Sequence, residues 1–197
     1  VPERPEKIDY YLGQAIAIAA RAECTGQRVG AVIVGEGNRI LSTGYNGTPD
    51  DVPNCKPGGV CHRCNDSSPF GGTGNGYDKC ICVHAEMNAI ATAARYGIAL
   101  DGATAYVTHQ PCLTCSKELI QAGIRRAYYA IELAPPVDGA GQPSPELRAV
   151  QDRLTVALNA THVPDAGERA AQGIEQAVAN FKSQRSRATS HDRTEAA

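Results

Sequence analysis

The chain has no tryptophan, two phenylalanines and one methionine, and its 19 basic and 21 acidic side chains leave a formal net charge of −2. It therefore lacks both the aromatic platform and the cationic field that a groove for single-stranded or flipped bases would need, so a nucleic-acid partner is not expected. No run approaches the roughly 18 apolar residues of a membrane span, and no membrane association is expected. The opening Val1-Pro-Glu-Arg-Pro-Glu-Lys7 has no apolar stretch of the kind a secretory signal carries, so the expected compartment is the cytoplasm. What the chain does have is 42% apolar residues over 197 positions, enough to bury one core, and eight cysteines. Disulfide frameworks belong mainly to small secreted domains short of core, so these thiols are expected to hold metal rather than to pair.

Hydrophobic spacing divides the chain. Leu12, Ala15, Ile16, Ala19 and Ala20 recur at three and four, which predicts a helix over 9–22. Val29–Val34 and Arg39–Tyr45 flank Gly35-Glu-Gly-Asn38 and read as a β-hairpin. Residues 46–80 are rich in Gly, Pro, Asn and Asp, have no period, and form an insertion too long to order itself unless its cysteines supply support. An Ala-rich helix follows from His84 to Gly97, then a strand at Thr104–Thr108, a helix at Pro111–Gln121 closed by Gly123, and a strand at Arg125–Ile131. Strands separated by helices imply parallel pairs with crossover helices, hence an α/β protein with a mixed sheet between helical layers. The Pro- and Gly-rich stretch from Ala134 marks the expected end of the compact unit, 1–134. Residues 135–197 are expected to be a helical extension, with one helix through Leu147, Val150, Leu154 and Leu158, another over 166–181, and a frayed end. Tyr128 and Tyr129 alternate, so only one of them is expected to face the core.

The chemistry concentrates in two short words. His84-Ala-Glu86 opens one predicted helix and Pro111-Cys112-Leu-Thr-Cys115 opens another. Cys112 and Cys115 are three apart, so their sulfurs share a helical face, and a helix N-terminus favours thiolate over thiol. One imidazole and two thiolates fill three corners of a tetrahedral zinc site and leave the fourth open, the arrangement of a catalytic rather than a structural zinc. Glu86, two residues beyond His84, is then placed as the catalytic residue that moves protons. His109 precedes this loop and reads equally as a cleft wall or as a polar loop residue.

These words, with Val-Gly-Ala-Val-Ile-Val34, Gly44-Tyr-Asn-Gly-Thr-Pro49, Val83-His-Ala-Glu-Met-Asn88 and Gln121-Ala-Gly-Ile124, resemble the deoxycytidylate deaminase family over residues 8 to 131. The resemblance implies a three-layer α/β/α cytidine-deaminase-like fold and hydrolysis of dCMP to dUMP and ammonia, which supplies dUMP for thymidylate synthesis. It implies a catalytic zinc on His84, Cys112 and Cys115, the proton shuttle at Glu86, a sugar-phosphate contact at Asn46 and a base-edge contact from the backbone of Ala85. It also implies a structural zinc on Cys24, Cys55, Cys61 and Cys80, with Cys64 and Cys82 as alternates. Arg95 is a candidate contact for an effector phosphate, the effectors being dCTP and dTTP with Mg²⁺, in a homo-oligomer. Where family members commonly carry a tyrosine after the last strand this chain has Leu133. Other expected readings are therefore a deaminase of a modified nucleotide, a nucleoside or another small aminated heterocycle, then a nucleic-acid base deaminase, then a zinc-stabilised interaction module without activity.

Overall fold

A computed structural model describes residues 4–24, 26–55, 80–138 and 142–179. Helix α1 (Lys7–Ala19) precedes strands β1 (Gly30–Val34) and β2 (Ile40–Tyr45), which are joined through a single 3-10 turn at Glu36–Asn38. Helix α2 (Ala85–Arg95), strand β3 (Thr104–His109), helix α3 (Leu113–Gln121) and strand β4 (Arg126–Ile131) follow, then helix α4 (Pro145–Ala157) and strand β5 (Ala160–His162). A last helical segment, α5, covers 166–179. The five strands form one sheet in the order β2-β1-β3-β4-β5. β1 is antiparallel to both β2 and β3, while β3, β4 and β5 run parallel, so the sheet is mixed, as the element order predicts.

Helices cover both faces of this sheet. On one, Ala31, Ile33, Ala105, Val107 and Ala127 pack with Ala85, Ala89 and Ala93 of α2 and Leu119 of α3. On the other, Val32, Val34 and Tyr106 pack with Tyr11, Leu12 and Ala15 of α1 and with Ala166 of α5. Every residue of β1 is consequently buried, the mark of a strand covered on both sides. Two-sided cover also gives both tyrosines of β4 a packed face: Tyr128 stacks on Tyr106, and the buried Tyr129 stacks on His162.

Two glycines set how closely the helices approach. A Cβ on Gly30 would collide with the Ala15 carbonyl of α1, and one on Gly44 would collide with the Ala85 carbonyl and come within 2.6 Å of the Ala89 nitrogen of α2. The alanines of α1 and α2 serve the same end, since only small side chains let helix backbone lie against a strand. Two further bonds fasten α2 to β2, Ser42 Oγ to the Ala89 carbonyl at 2.7 Å and Asn88 Nδ2 to the Tyr45 carbonyl at 2.7 Å.

The chain after residue 134 differs from the sequence expectation. It is not helical throughout, because α4 brings it back to the sheet, where β5 pairs with β4 through Ala127↔Ala160, Tyr128↔Thr161 and Tyr129↔His162. Leu158 is wholly buried in the principal core. A three-residue strand is too short for any period to announce it. The segment α5 docks on α1, with Arg169 donating to both carboxylate oxygens of the buried Asp9 at 2.8 Å. Among the described residues no helix is long and apolar enough to cross a membrane.

Candidate active site

His84 and Cys112 each stand at the N-cap of a helix, His84 before α2 and Cys112 before α3. Residue 83 is held to the end of β2 by a two-way bridge, Gly47 N to the Val83 carbonyl at 3.2 Å and Val83 N to the Gly47 carbonyl at 2.8 Å. Cys112 follows β3 after two residues. Gln110 ties that connection to the end of β4, donating its amide to the Ile131 carbonyl at 2.7 Å and accepting from the Leu133 amide at 3.3 Å. Both helices thus start at the same end of the sheet, with their polar N-termini turned toward one another.

There the three donor atoms converge. His84 Nδ1 lies 3.6 Å from Cys112 Sγ and 3.3 Å from Cys115 Sγ, and all three lie within 4.8 Å of one another. A tetrahedral zinc with bonds of about 2.3 Å to sulfur and about 2.0 Å to nitrogen sets those atoms roughly 3.5 Å apart along each N–S edge, so the set fits the ion without rearrangement. Its protonation chemistry fits as well. Cys112 is shifted down to about 4, first by the hydrogen bond it takes from Cys115, which outweighs its burial, and further by His84. Cys115 is pushed far up by giving that same hydrogen bond, by burial and by the nearby Glu86 charge. One thiolate and one thiol is the stable state of the bare pair, and a dication is the charge that lets both sulfurs ionise together.

Glu86 sits in the first turn of α2 with 4% of its surface exposed. Burial raises its carboxyl to about 7, the Cys112 thiolate adds to the rise, and a backbone hydrogen bond and His84 oppose it. A group poised near neutrality beside an open-cornered metal site can both take and return a proton.

The other expected contacts are placed variously. Asn46 is buried and clamps the segment before β1, accepting from Val29 N at 2.7 Å and donating to the Gln27 carbonyl at 2.8 Å. Those bonds use one lone pair and one N–H of an amide that has two of each. Ala85 opens α2 and is wholly buried, backbone included. Arg95 stands at the far end of α2, about 15 Å along the helix from Ala85, and pairs with Asp50 at 3.3 Å, both side chains exposed. Burial lowers the pKa of His109, whose Nδ1 lies 2.9 Å from Thr108 Oγ1.

A second group brings Cys24, Cys55 and Cys82 within 4.8 Å of one another. Cys82, weighed as an alternate, takes the place expected for Cys80. Cys80 packs against the group without being one of its three members. Cys61 and Cys64 lie outside the described residues. Sequence reasoning missed Gln110 and also Gln151, which reaches the Pro111 carbonyl from α4. A lone glutamine carries no pattern that could have revealed either.

A mixed sheet between helical layers, with one imidazole and two cysteine sulfurs gathered at two helix N-termini, defines a zinc-binding protein of the cytidine-deaminase-like fold. Residues 5–131 match the cytidine and deoxycytidylate deaminase zinc-binding region, and the chain belongs to that family. It is 43% identical to a deoxycytidylate deaminase of Schizosaccharomyces pombe over 126 residues, 64% of this chain and 37% of that protein. It is 39% identical to that of Mycobacterium phage D29 over 131 residues, 66% of this chain and 98% of the phage protein. The match to the fission yeast protein thus spans little more than a third of that relative's length. The fold is similar to the dCMP deaminase of cyanophage S-TIM5 in complex with dCMP and dUMP, with a TM-score of 0.58 and 28% identity over 82% of this chain and 100% of that one.

Proposed function

We propose that this chain hydrolyses the amino group of a cytosine nucleotide, converting dCMP and water to dUMP and ammonia, and so supplies dUMP for thymidylate synthesis. The observation that carries this reading is the convergence of His84, Cys112 and Cys115 beside the buried Glu86. The names of the similar proteins support the choice of dCMP.

Zinc held by the three ligands would supply a Lewis acid and an acidified water at neutral pH. Glu86 does the proton work. Its carboxylate accepts a proton from the attacking water and delivers it to the ring nitrogen next to C4, then takes the remaining proton from the new C4 hydroxyl and passes it to the departing amino group, which leaves as ammonia while C4 keeps the oxygen as a carbonyl. The Ala85 amide and the remaining N–H and lone pair of Asn46 bind the base edge and the sugar-phosphate. Burial of Glu86 excludes bulk water that would otherwise compete for the proton.

Several finer readings belong with this one. A second, structural zinc sits on Cys24, Cys55 and Cys82, with Cys61 the expected fourth ligand. Arg95 contacts an effector phosphate of dCTP or dTTP, with Mg²⁺, in a homo-oligomer in the cytoplasm. The deaminase domain is 1–134, and the chain from 135 is an extension of which α4, β5 and α5 pack on it.

The test is ammonia release from cytidine, CMP, dCMP, dCTP and 5-substituted dCMP, with zinc-loaded wild type beside Glu86→Gln. Turnover is expected on dCMP and is lost in the variant, whose zinc content stays the same. Turnover confined to another member would move the substrate, and none on any member would refute the reading.

A further inference from the structure

Helix α4 lies beyond the family-matched residues 5–131, yet the one buried residue among its thirteen is polar, Gln151. A helix on a protein surface ordinarily buries its apolar residues. Here Val150 and Val156 face outward, at 46% and 79% exposure, and the glutamine goes inside. Gln151 Nε2 donates to the Pro111 carbonyl at 3.0 Å, a buried bond spanning 40 residues of chain. The same oxygen accepts from Ser116 Oγ at 3.2 Å.

Pro111 is fully buried and directly precedes Cys112, the N-cap of α3. The ladder of α3 begins one residue later, with the Cys112 carbonyl accepting from Ser116 N at 2.8 Å. The Pro111 carbonyl thus stands outside the helix, and two side chains fill its two lone pairs. The peptide joining Pro111 to Cys112 is a rigid plane, so holding its oxygen sets the direction of the Cys112 Cα and, through it, the place of Sγ. Metal ligands must be placed to within a few tenths of an ångström, which makes such an anchor matter.

We propose that Gln151 is a positioning residue for the metal centre, holding Cys112 in ligating geometry through the Pro111 carbonyl and thereby making a helix outside the family-matched stretch part of the site. The proposal rests on His84, Cys112 and Cys115 as the zinc ligands and not on the identity of the substrate.

The experiment measures zinc affinity of the full chain by competition with a chromogenic chelator, and the absorption of the cobalt(II)-substituted protein. Wild type is compared with Gln151→Leu, Gln151→Glu, Ser144→Ala and Cys115→Ser. The zinc lost in Cys115→Ser identifies the share held at this centre. Gln151→Glu, read at about pH 8.5 so that the buried carboxyl is ionised and not an O–H donor, keeps the side chain's shape but turns a donor into an acceptor facing an acceptor. Ser144→Ala removes the cap of α4, whose Oγ accepts from Leu147 N at 3.2 Å, and weakens the same helix without touching Pro111.

Both Gln151 variants are expected to hold this zinc about 10- to 100-fold more weakly, the usual effect of losing an outer-shell partner, with altered cobalt–thiolate bands. Ser144→Ala is expected to lower the melting temperature yet keep wild-type affinity and spectrum. Should Gln151→Leu fail to fold, Gln151→Glu carries the test. Wild-type affinity and spectrum in Gln151→Glu would overturn the proposal, as would an equal loss in Ser144→Ala or the absence of Cys115-dependent zinc in wild type. A wild type with Cys115-dependent zinc that releases no ammonia from any nucleotide would refute the deaminase reading and leave this one standing. Active wild type with Gln151 variants of unchanged affinity would do the reverse.

Discussion

At Glu86 a carboxyl group sits 4% exposed beside a thiolate, where its charged form is poorly solvated. Its folded value near 7 stands above its ordinary 4.5, so between those limits the folded metal-free protein binds more protons there than the unfolded chain does. Glu86 therefore favours folding most fully below about pH 4.5 and withdraws that contribution as pH rises to about 7. Cys112 works in the other sense, because its folded value is depressed to about 4 and its contribution grows as pH rises above that. Replacing Glu86 by Gln removes the first effect and leaves the second. The stability of Glu86→Gln relative to wild type is expected to increase steadily from pH 4.5 to 7, measured by urea unfolding of the metal-free proteins. A constant difference across that range would deny that Glu86 is desolvated. In the zinc-loaded enzyme the same change is expected to lower kcat by about 10²–10⁴-fold, the range for losing a positioned acid–base group.

At the scale of elements, the site depends on how closely α2 lies on β2. The sequence places His84 and Glu86 at the start of a helix, but it is Gly44, on another element, that lets that helix reach the sheet. Gly44→Ala would push a methyl group into the Ala85 carbonyl. The expected cost is about 1–3 kcal/mol, as for other overpacked cores, together with weaker zinc binding because His84 moves with the helix. Chemical denaturation and chelator competition on one variant read both, and a loss of stability with unchanged zinc affinity would separate the helix position from the metal site. Gly37 offers a contrast, since nothing lies within 4 Å of a Cβ built there and its constraint is instead a left-handed φ of 66°. The hairpin and the two helix N-caps were legible because each rests on local chemistry: turn residues, apolar period, and a helix stop at Gly97 or Gly123. The grouping of Cys82 rather than Cys80 with Cys24 and Cys55 was not legible, since it brings together residues from three distant stretches of chain.

Over the whole molecule, β5 completes the sheet and α4 carries the chain back to it. Leu158 is wholly buried in the same cluster as Ala89 of α2 and Leu119 of α3. Leu158→Ala is expected to destabilise the protein by about 2–5 kcal/mol, the range for a large core side chain replaced by alanine, as read by thermal or urea unfolding. A change under about 1 kcal/mol, well below that range, would mean that the C-terminal part contributes little to the core. By itself the sequence determined which side chains could serve as metal ligands and as a proton-carrying carboxylate, the helix starts that present them and the strand–helix alternation that implies a mixed sheet. All of these follow from spacing along one stretch of chain, where the period of a helix or strand fixes which residues share a face. The tertiary structure alone decided that β5 closes the sheet edge, that Arg169 clamps α5 to Asp9, that Cys82 joins the second cysteine group, and that Gln151 reaches the carbonyl before Cys112. Each is a contact between residues far apart in the chain, and such a contact leaves no period in the sequence because its cost in chain entropy is offset only by burial in the finished core.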